Sequence, residues 1–279
     1  MPLNLTSPWV PVVATPSIIP AFITHLNYLK CVSRLSTGLS VSTEDPTNVV
    51  TSISPLVEKK KVLATLTKDN LDSELAQIRN LHDYAQICIS WVPVKSYYLF
   101  FNLIILLIYL QTGEESWLTA GHIEVQRKLK ELIRSGDLTF SVGSFNTIYI
   151  PSRILSWAIP SGNNVTTVNF DYGLLERQAI KKMFLYSQEE FKRVRNVKRL
   201  AGQLKQNFMN STTINLSEFF YWYRIKANYR DMEFINSNVG ITDFYNFYTE
   251  YYSLTANFYD ALTAEINRLS QLRFGRDIF

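Results

Sequence analysis

Apolar positions recur at three- and four-residue spacing through most of the chain after about residue 69, the period of amphipathic helices. The first such stretch, DNLDSELAQIRNLHDYAQICISW, sets Leu71, Leu75, Ile78, Leu81 or His82, Ala85 and Cys88 or Ile89 on one face. Asp69 or Asp72 is placed to cap its start and Pro93 to end it. A wholly apolar helix over 95–111 follows, stopped near Gly113. Its centre, YYLFFNLIILLIYL at 97–110, contains Asn102 and falls short of the roughly 20 residues a membrane span needs, so a helix buried inside a bundle is expected. Thr119 then opens AGHIEVQRKLKELIRSG, with Ile123, Leu129, Leu132 and Ile133 on one face and Gly136 as the stop.

Residues 137–170 lose the helical period. They are β-branched and rich in Ser, Thr and Asn, which fits short strands or a structured insertion. Three helical patterns close the chain. The first, 174–208, turns Ile180, Phe184, Phe191, Val194, Val197, Ala201, Leu204 and Phe208 inward. The second starts near Asn215, with Glu218 at capping-box spacing, and runs to about Phe234. The third spans about Thr242 to Leu272. There Phe244, Tyr251, Phe258 and Glu265 repeat every seven residues beside a row of Tyr248, Thr255, Leu262 and Leu269, the pattern of a helix packed along its length on a neighbour. Before residue 60 there is no sustained period, only one short helix over 20–35. The expectation is a mainly α protein: a bundle of five to six helices over 69–279, an irregular N-terminal arm over 1–68, and a small mixed insertion at about 137–170.

Composition adjusts this picture little. Hydrophobic residues make up 47% and charged residues 19% of 279, enough to build a core and too apolar for wholesale disorder. Two cysteines, Cys31 and Cys88, cannot supply a thiolate zinc site alone and read as free thiols. The N-terminus lacks a basic start and prolines break its apolar run, so it does not read as a signal peptide. Cytoplasmic location and no membrane span are the expectations.

Much familiar chemistry is missing from the sequence. The three histidines, His25, His82 and His122, show no metal-ligand spacing, and the ten glycines form no phosphate loop. No nucleophile elbow or kinase signature occurs. Neither a metal nor a cofactor is expected.

Charge is unevenly placed. From Glu176 to Lys205 there are nine Lys or Arg against three Glu, a local net of 9 − 3 = +6 in a chain of +4. Lys192, Arg193, Arg195, Lys198 and Arg199 fall within eight residues, and 192, 195 and 199 share one helix face. Such a ridge, with Lys181 and Lys182 before it, suits a phosphate backbone or an acidic partner. A solvated helix face is the plainer alternative.

The stretch FFYWYRIKANYRDMEF, 219–234, adds Arg224, Lys226 and Arg230 on adjacent turns, with Asn228 four residues after Arg224 and Tyr229 beside it. Together with the aromatic SYYLFFNLIILLIYL helix, this resembles the HEPN superfamily over about residues 70–270. Those helical-bundle proteins of prokaryotic toxin–antitoxin, RNA-processing and antiviral systems carry Arg, four to six residues, then His on a late helix. Two such motifs meet across a dimer to cleave RNA without a metal. The resemblance puts the arginine at Arg224, but its histidine position falls on Tyr229, and no Arg in this chain has a His four to seven residues later. A phenol, with an ordinary pKa of about 10, is a poor base at neutral pH. The resemblance therefore implies a non-catalytic subunit of a defence complex. It would bind RNA or a protein partner, such as an antitoxin or an Argonaute-type effector, and a homodimer fits its usual architecture. The alternatives are a metal-independent ribonuclease using Arg224 and Tyr229, oriented by Asn228 and Asp231, or a structural scaffold with no nucleic-acid role; the plainer reading of the aromatics of 219–234 themselves is packing on the last helix.

Overall fold

The computed structural model describes residues 26, 29–30, 32–34, 36–46, 53–81, 84–146, 154–161, 164–171, 220–221, 224 and 240–279. These make a mainly α protein. The helices are α1 (Pro55–Asn80), α2 (Tyr84–Cys88), α3 (Val92–Thr112), α4 (His122–Ser135), α5 (Gly143–Asn146) and α6 (Ile241–Phe274), with a 3₁₀ turn at Glu115–Thr119. Two small antiparallel sheets accompany them. β1 (Val41–Thr43) pairs with β2 (Leu138–Phe140), Val41 opposite Phe140. β3 (Ile154–Ser161) pairs with β4 (Asn164–Asp171), Ile154 opposite Asp171, inside the segment expected to hold strands or an insertion.

α3 is the axis of the bundle. Seventeen of its residues, from Val92 to Leu110, are buried, and it packs most extensively on α6 and α1. A helix apolar on every side suits a protein core or a membrane interior, and here its neighbours cover it. By length and composition α3 is apolar enough to cross a membrane, and 89% of its most apolar window is buried inside the protein. Each Leu, Ile or Phe taken fully from water here stabilises the fold by about 1.5–3 kcal/mol. Gly113 ends it in the left-handed conformation, φ 77°, and its N–H returns to the Tyr109 carbonyl at 2.7 Å. Gly136 ends α4 likewise at φ 89°.

α6 presents both expected rows to the core. Phe244, Tyr251, Phe258 and Glu265, and Tyr248, Thr255, Leu262 and Leu269, are all buried. The one acid in these rows has a specific partner. Glu265 Oε1 accepts from the Thr43 backbone N–H at 2.7 Å and its hydroxyl at 2.6 Å, and Arg268 donates to Glu265 through Nε at 2.9 Å and Nη2 at 2.8 Å. That cluster fastens β1 to α6.

The helix boundaries differ from expectation in physically readable ways. α1 starts at Pro55 instead of near Asp69. Ser54 is its N-cap, with Oγ accepting from the Leu56 N–H at 3.4 Å, and Pro55 occupies the first turn, where no N–H is missed. Asp72, expected as a cap, lies mid-helix, bonded to Lys68 at 2.6 Å and to the Tyr252 hydroxyl at 2.5 Å. Pro93 lies in the first turn of α3 rather than ending the helix before it, and the break falls at Leu81. α4 begins at His122, not Thr119, with Glu124 accepting from the Gly121 N–H at 3.0 Å. Ile123, expected inside, is 61% exposed, and Val125 and Gln126 face inward in its place. From the expected arm, Leu26, Leu29, Val32, Leu39 and Val41 enter the common core with α1.

Candidate functional site

Among the described residues, one cluster combines basic groups, an imidazole and exposed aromatic surface. α3 supplies Tyr97, Tyr98 and Phe101, α4 supplies His122 as its first residue, α1 supplies Lys60, and the helical residues Tyr221 and Arg224 come from the aromatic stretch. Tyr97 and Phe101 are one turn apart on α3 and stack at 5.8 Å. Arg224 lies over the Tyr97 ring, Cζ 4.8 Å from its centroid, with Tyr98 and Tyr221 at 5.7 and 5.9 Å. The His122 ring sits 4.3 Å from that of Phe101, and Lys60 Nζ lies 5.6 Å from the same ring. His122 Nδ1 is 2.7 Å from the Tyr97 hydroxyl.

The electrostatics follow from burial and from like charge. Burial lowers the His122 pKa below its ordinary 6.5, and the positive charges of Arg224 and Lys60 lower it further, so the ring is neutral at pH 7. Burial raises the Tyr97 phenol, against the opposing effects of Arg224's charge and hydrogen bond, so the phenol keeps its proton. With the phenol O–H as donor to Nδ1, the hydrogen of the neutral His122 ring is on Nε2. Burial, then the neighbouring Lys59, lowers Lys60. Arg224 Nε and Nη1 are sealed from solvent and have no hydrogen-bond partner among the described residues, their charge facing aromatic rings.

Of the expected catalytic set, Arg224 alone is among the described residues. Tyr229, Asn228 and Asp231 lie outside the described residues, as do Lys181, Lys182, Lys192, Arg193, Arg195, Lys198, Arg199, Lys226 and Arg230. Among the described residues of the aromatic stretch, Phe220 packs on the last helix, 5.2 Å from Phe258 and 6.1 Å from Tyr251, while Tyr221 lies 5.8 Å from Tyr97. The sequence reading missed His122 beside Arg224. A same-helix motif search cannot find a pair 102 residues apart, and the only local hint was the position of Tyr97 and Tyr98 within the quoted apolar helix.

Several other polar side chains of the core have partners. Glu74 on α1 pairs with Lys95 on α3 and accepts from the Tyr248 hydroxyl of α6 at 3.0 Å. Lys68 bridges Asp72 and the Tyr252 hydroxyl. Cys88 is buried, and burial pushes its thiol up to about 11, which suppresses the nucleophilic thiolate. No group of three or more His, Cys, Asp or Glu among the described residues is placed to hold a metal. Comparison with protein-family models, curated proteins and solved structures found no match.

Proposed function

We propose that this chain is a non-catalytic, HEPN-like subunit of a prokaryotic defence complex, binding RNA through its basic segment around Lys192–Arg199. The observation that carries the non-catalytic half is the setting of Arg224. Two of its three nitrogens are shut against aromatic rings within one protomer. A guanidinium held this way is poorly placed to meet a phosphorane across a dimer cleft, where a nuclease needs donors aimed at developing charge. The binding half rests on the local +6 between Glu176 and Lys205.

The test is titration of labelled single-stranded RNA at two salt concentrations. Binding weakens steeply with salt, and joint neutralisation of Lys192, Arg193, Arg195, Lys198 and Arg199 abolishes it. Salt-independent binding, or binding unaffected by those substitutions, defeats the reading. A protein partner is sought by pull-down with the same charge variants.

A second reading, metal-independent ribonuclease, is favoured by one observation: a neutral imidazole, His122, stands beside Arg224. His122 in place of Tyr229 supplies the base that the HEPN signature carries on one helix. RNA incubated with the protein in chelator decides it. Cleavage lost in both Arg224→Ala and His122→Asn supports this reading, and no cleavage by the parent protein removes it.

A further inference from the structure

α4 lies alongside α3 and runs in the same direction. His122 at its start meets Tyr98, ring centroids 5.8 Å apart, and the Asp137 carbonyl just past its end accepts from Gln111 Nε2 at 3.0 Å. Ile123, Arg127, Lys130 and Arg134 follow at i, i+4, i+7 and i+11, the spacing of one helix face. Ile123 is 61% exposed, and Arg127 and Arg134 are exposed too. α4 carries four Lys or Arg against two Glu, 4 − 2 = +2. Both acids are engaged by the helix itself: Glu124 accepts from the Gly121 N–H at 3.0 Å and Glu131 from Lys128 Nζ at 3.1 Å. This face is therefore basic from Arg127 onward. Towards the start of α3 the surface becomes aromatic. Trp91 and Tyr98 are seven residues apart on one side of α3, about 10 Å along the axis. They are 56% and 40% exposed. The His122 ring and the Arg224 guanidinium, 5.8 and 5.7 Å from the Tyr98 centroid, brace that ring from within.

We propose that Trp91 and Tyr98, continued by Arg127 and Arg134, form a track for single-stranded RNA, in which bases stack on the two rings and the arginines hold phosphates. The inference rests on the RNA reading above and adds a second contact surface, made of residues outside the basic segment. A single strand bares both things this surface recognises, flat base faces and a row of phosphates. A duplex offers the rings nothing, because its bases are already stacked and paired. A protein partner fits less well. Lys95, bound to Glu74, stands between the two rings, one turn from each, so they are separate platforms instead of the uncharged centre of a protein interface. The two halves of the track answer differently to salt, since only phosphate contacts displace counterions.

The experiment titrates a labelled single-stranded RNA of mixed sequence, and an abasic ribose-phosphate strand of equal length, into the full chain at several salt concentrations. Trp91→Ala and Tyr98→Ala each weaken RNA binding by about tenfold, leave its salt slope unchanged and do not affect the abasic strand. Trp91→Phe and Tyr98→Phe keep a ring and retain most of the affinity, which separates lost stacking from misfolding. Arg127→Gln and Arg134→Gln together lower the slope of log affinity against log salt by about 1.4, the worth of two phosphates on a single strand. RNA affinity unmoved by the alanine variants, or a slope unmoved by the arginine pair, overturns the track. If binding is lost on neutralising Lys192, Arg193, Arg195, Lys198 and Arg199 yet is indifferent to these four positions, the track alone falls, the RNA reading stands, and this face is left to a protein partner. If the track variants weaken binding and the basic-segment variants do not, the track stands and the basic segment leaves the reading. A parent protein that binds no RNA overturns both.

Discussion

Thr43 and Glu265 are 222 positions apart, yet the Glu265 carboxylate accepts both the backbone N–H and the hydroxyl of Thr43, at 2.7 and 2.6 Å. Glu265 is 4% exposed, and Arg268, bound to it, reaches on to the Thr43 carbonyl at 2.9 Å and to Asp45 at 2.6 Å. Removing the acid strands the Thr43 donors. Glu265→Ala is expected to cost about 2 kcal/mol, carried mainly by the partly buried Thr43 bonds because Arg268 is more exposed. Denaturant unfolding measures the loss, and hydrogen exchange of the Val41–Thr43 amides should accelerate more than that of α3.

The two sides of the helix assignments give a second expectation. Leu106 lies in the buried stripe of α3, so Leu106→Ala leaves a cavity worth about 3 kcal/mol of stability. Ile123→Ala, on an exposed position, changes stability by less than about 0.5 kcal/mol. Equal effects in thermal unfolding refute this placement of the core.

Gly136 holds φ 89° with open space where a Cβ would stand. Strain, not collision, sets the cost, so Gly136→Ala loses about 1 kcal/mol and Gly136→Asn, which tolerates the left-handed region, loses less. Paired melting curves distinguish the two.

His122 makes stability depend on pH. Its folded pKa is depressed below 6.5, so the unfolded chain takes a proton first as pH falls. The stability present above 6.5 is lost as pH drops from 6.5 through the lower folded value. Melting temperatures between pH 8 and pH 5 should decline in the parent protein and decline less in His122→Asn. An identical slope in both means that His122 does not carry the effect.

Cys88 gives a chemical check. With its thiol pushed up to about 11 and buried, it stays unmodified by a maleimide at pH 8 in the folded protein and reacts on unfolding. Mass spectrometry of the peptide containing Cys88 reads this directly.

The architecture was legible where packing repeats. The two seven-residue rows of α6 appear in the sequence because one neighbour faces the whole helix, and even their polar interruption, Glu265, was visible, though not its partner on β1. The start of α1 was hidden although Ser54 and Pro55 are ordinary start signals. Val62, Leu63 and Leu66 lie exposed on the outer face of its first half and blur the helical period there. Ile123 misled for the same reason: an apolar residue at a rim position imitates a core one. Arg224 was singled out from its local motif. Its association with His122 and Lys60 was not, because no spacing rule relates residues brought together only when α1, α3 and α4 pack.

α3, uniform in its apolar surface, has almost nothing in its own side chains to say which way it should be turned about its axis. The setting is chosen by a few polar contacts: Thr255 donating to Ser96 at 2.8 Å, Lys95 against Glu74, Tyr97 against His122, and Arg273 reaching the Leu110 and Gln111 carbonyls. These act as detents on a smooth shaft. Loosening several together should leave the protein helical and compact while the axis samples neighbouring rotations, and the ring pair that gathers Lys60, His122 and Arg224 would lose its aim before the bundle lost its shape.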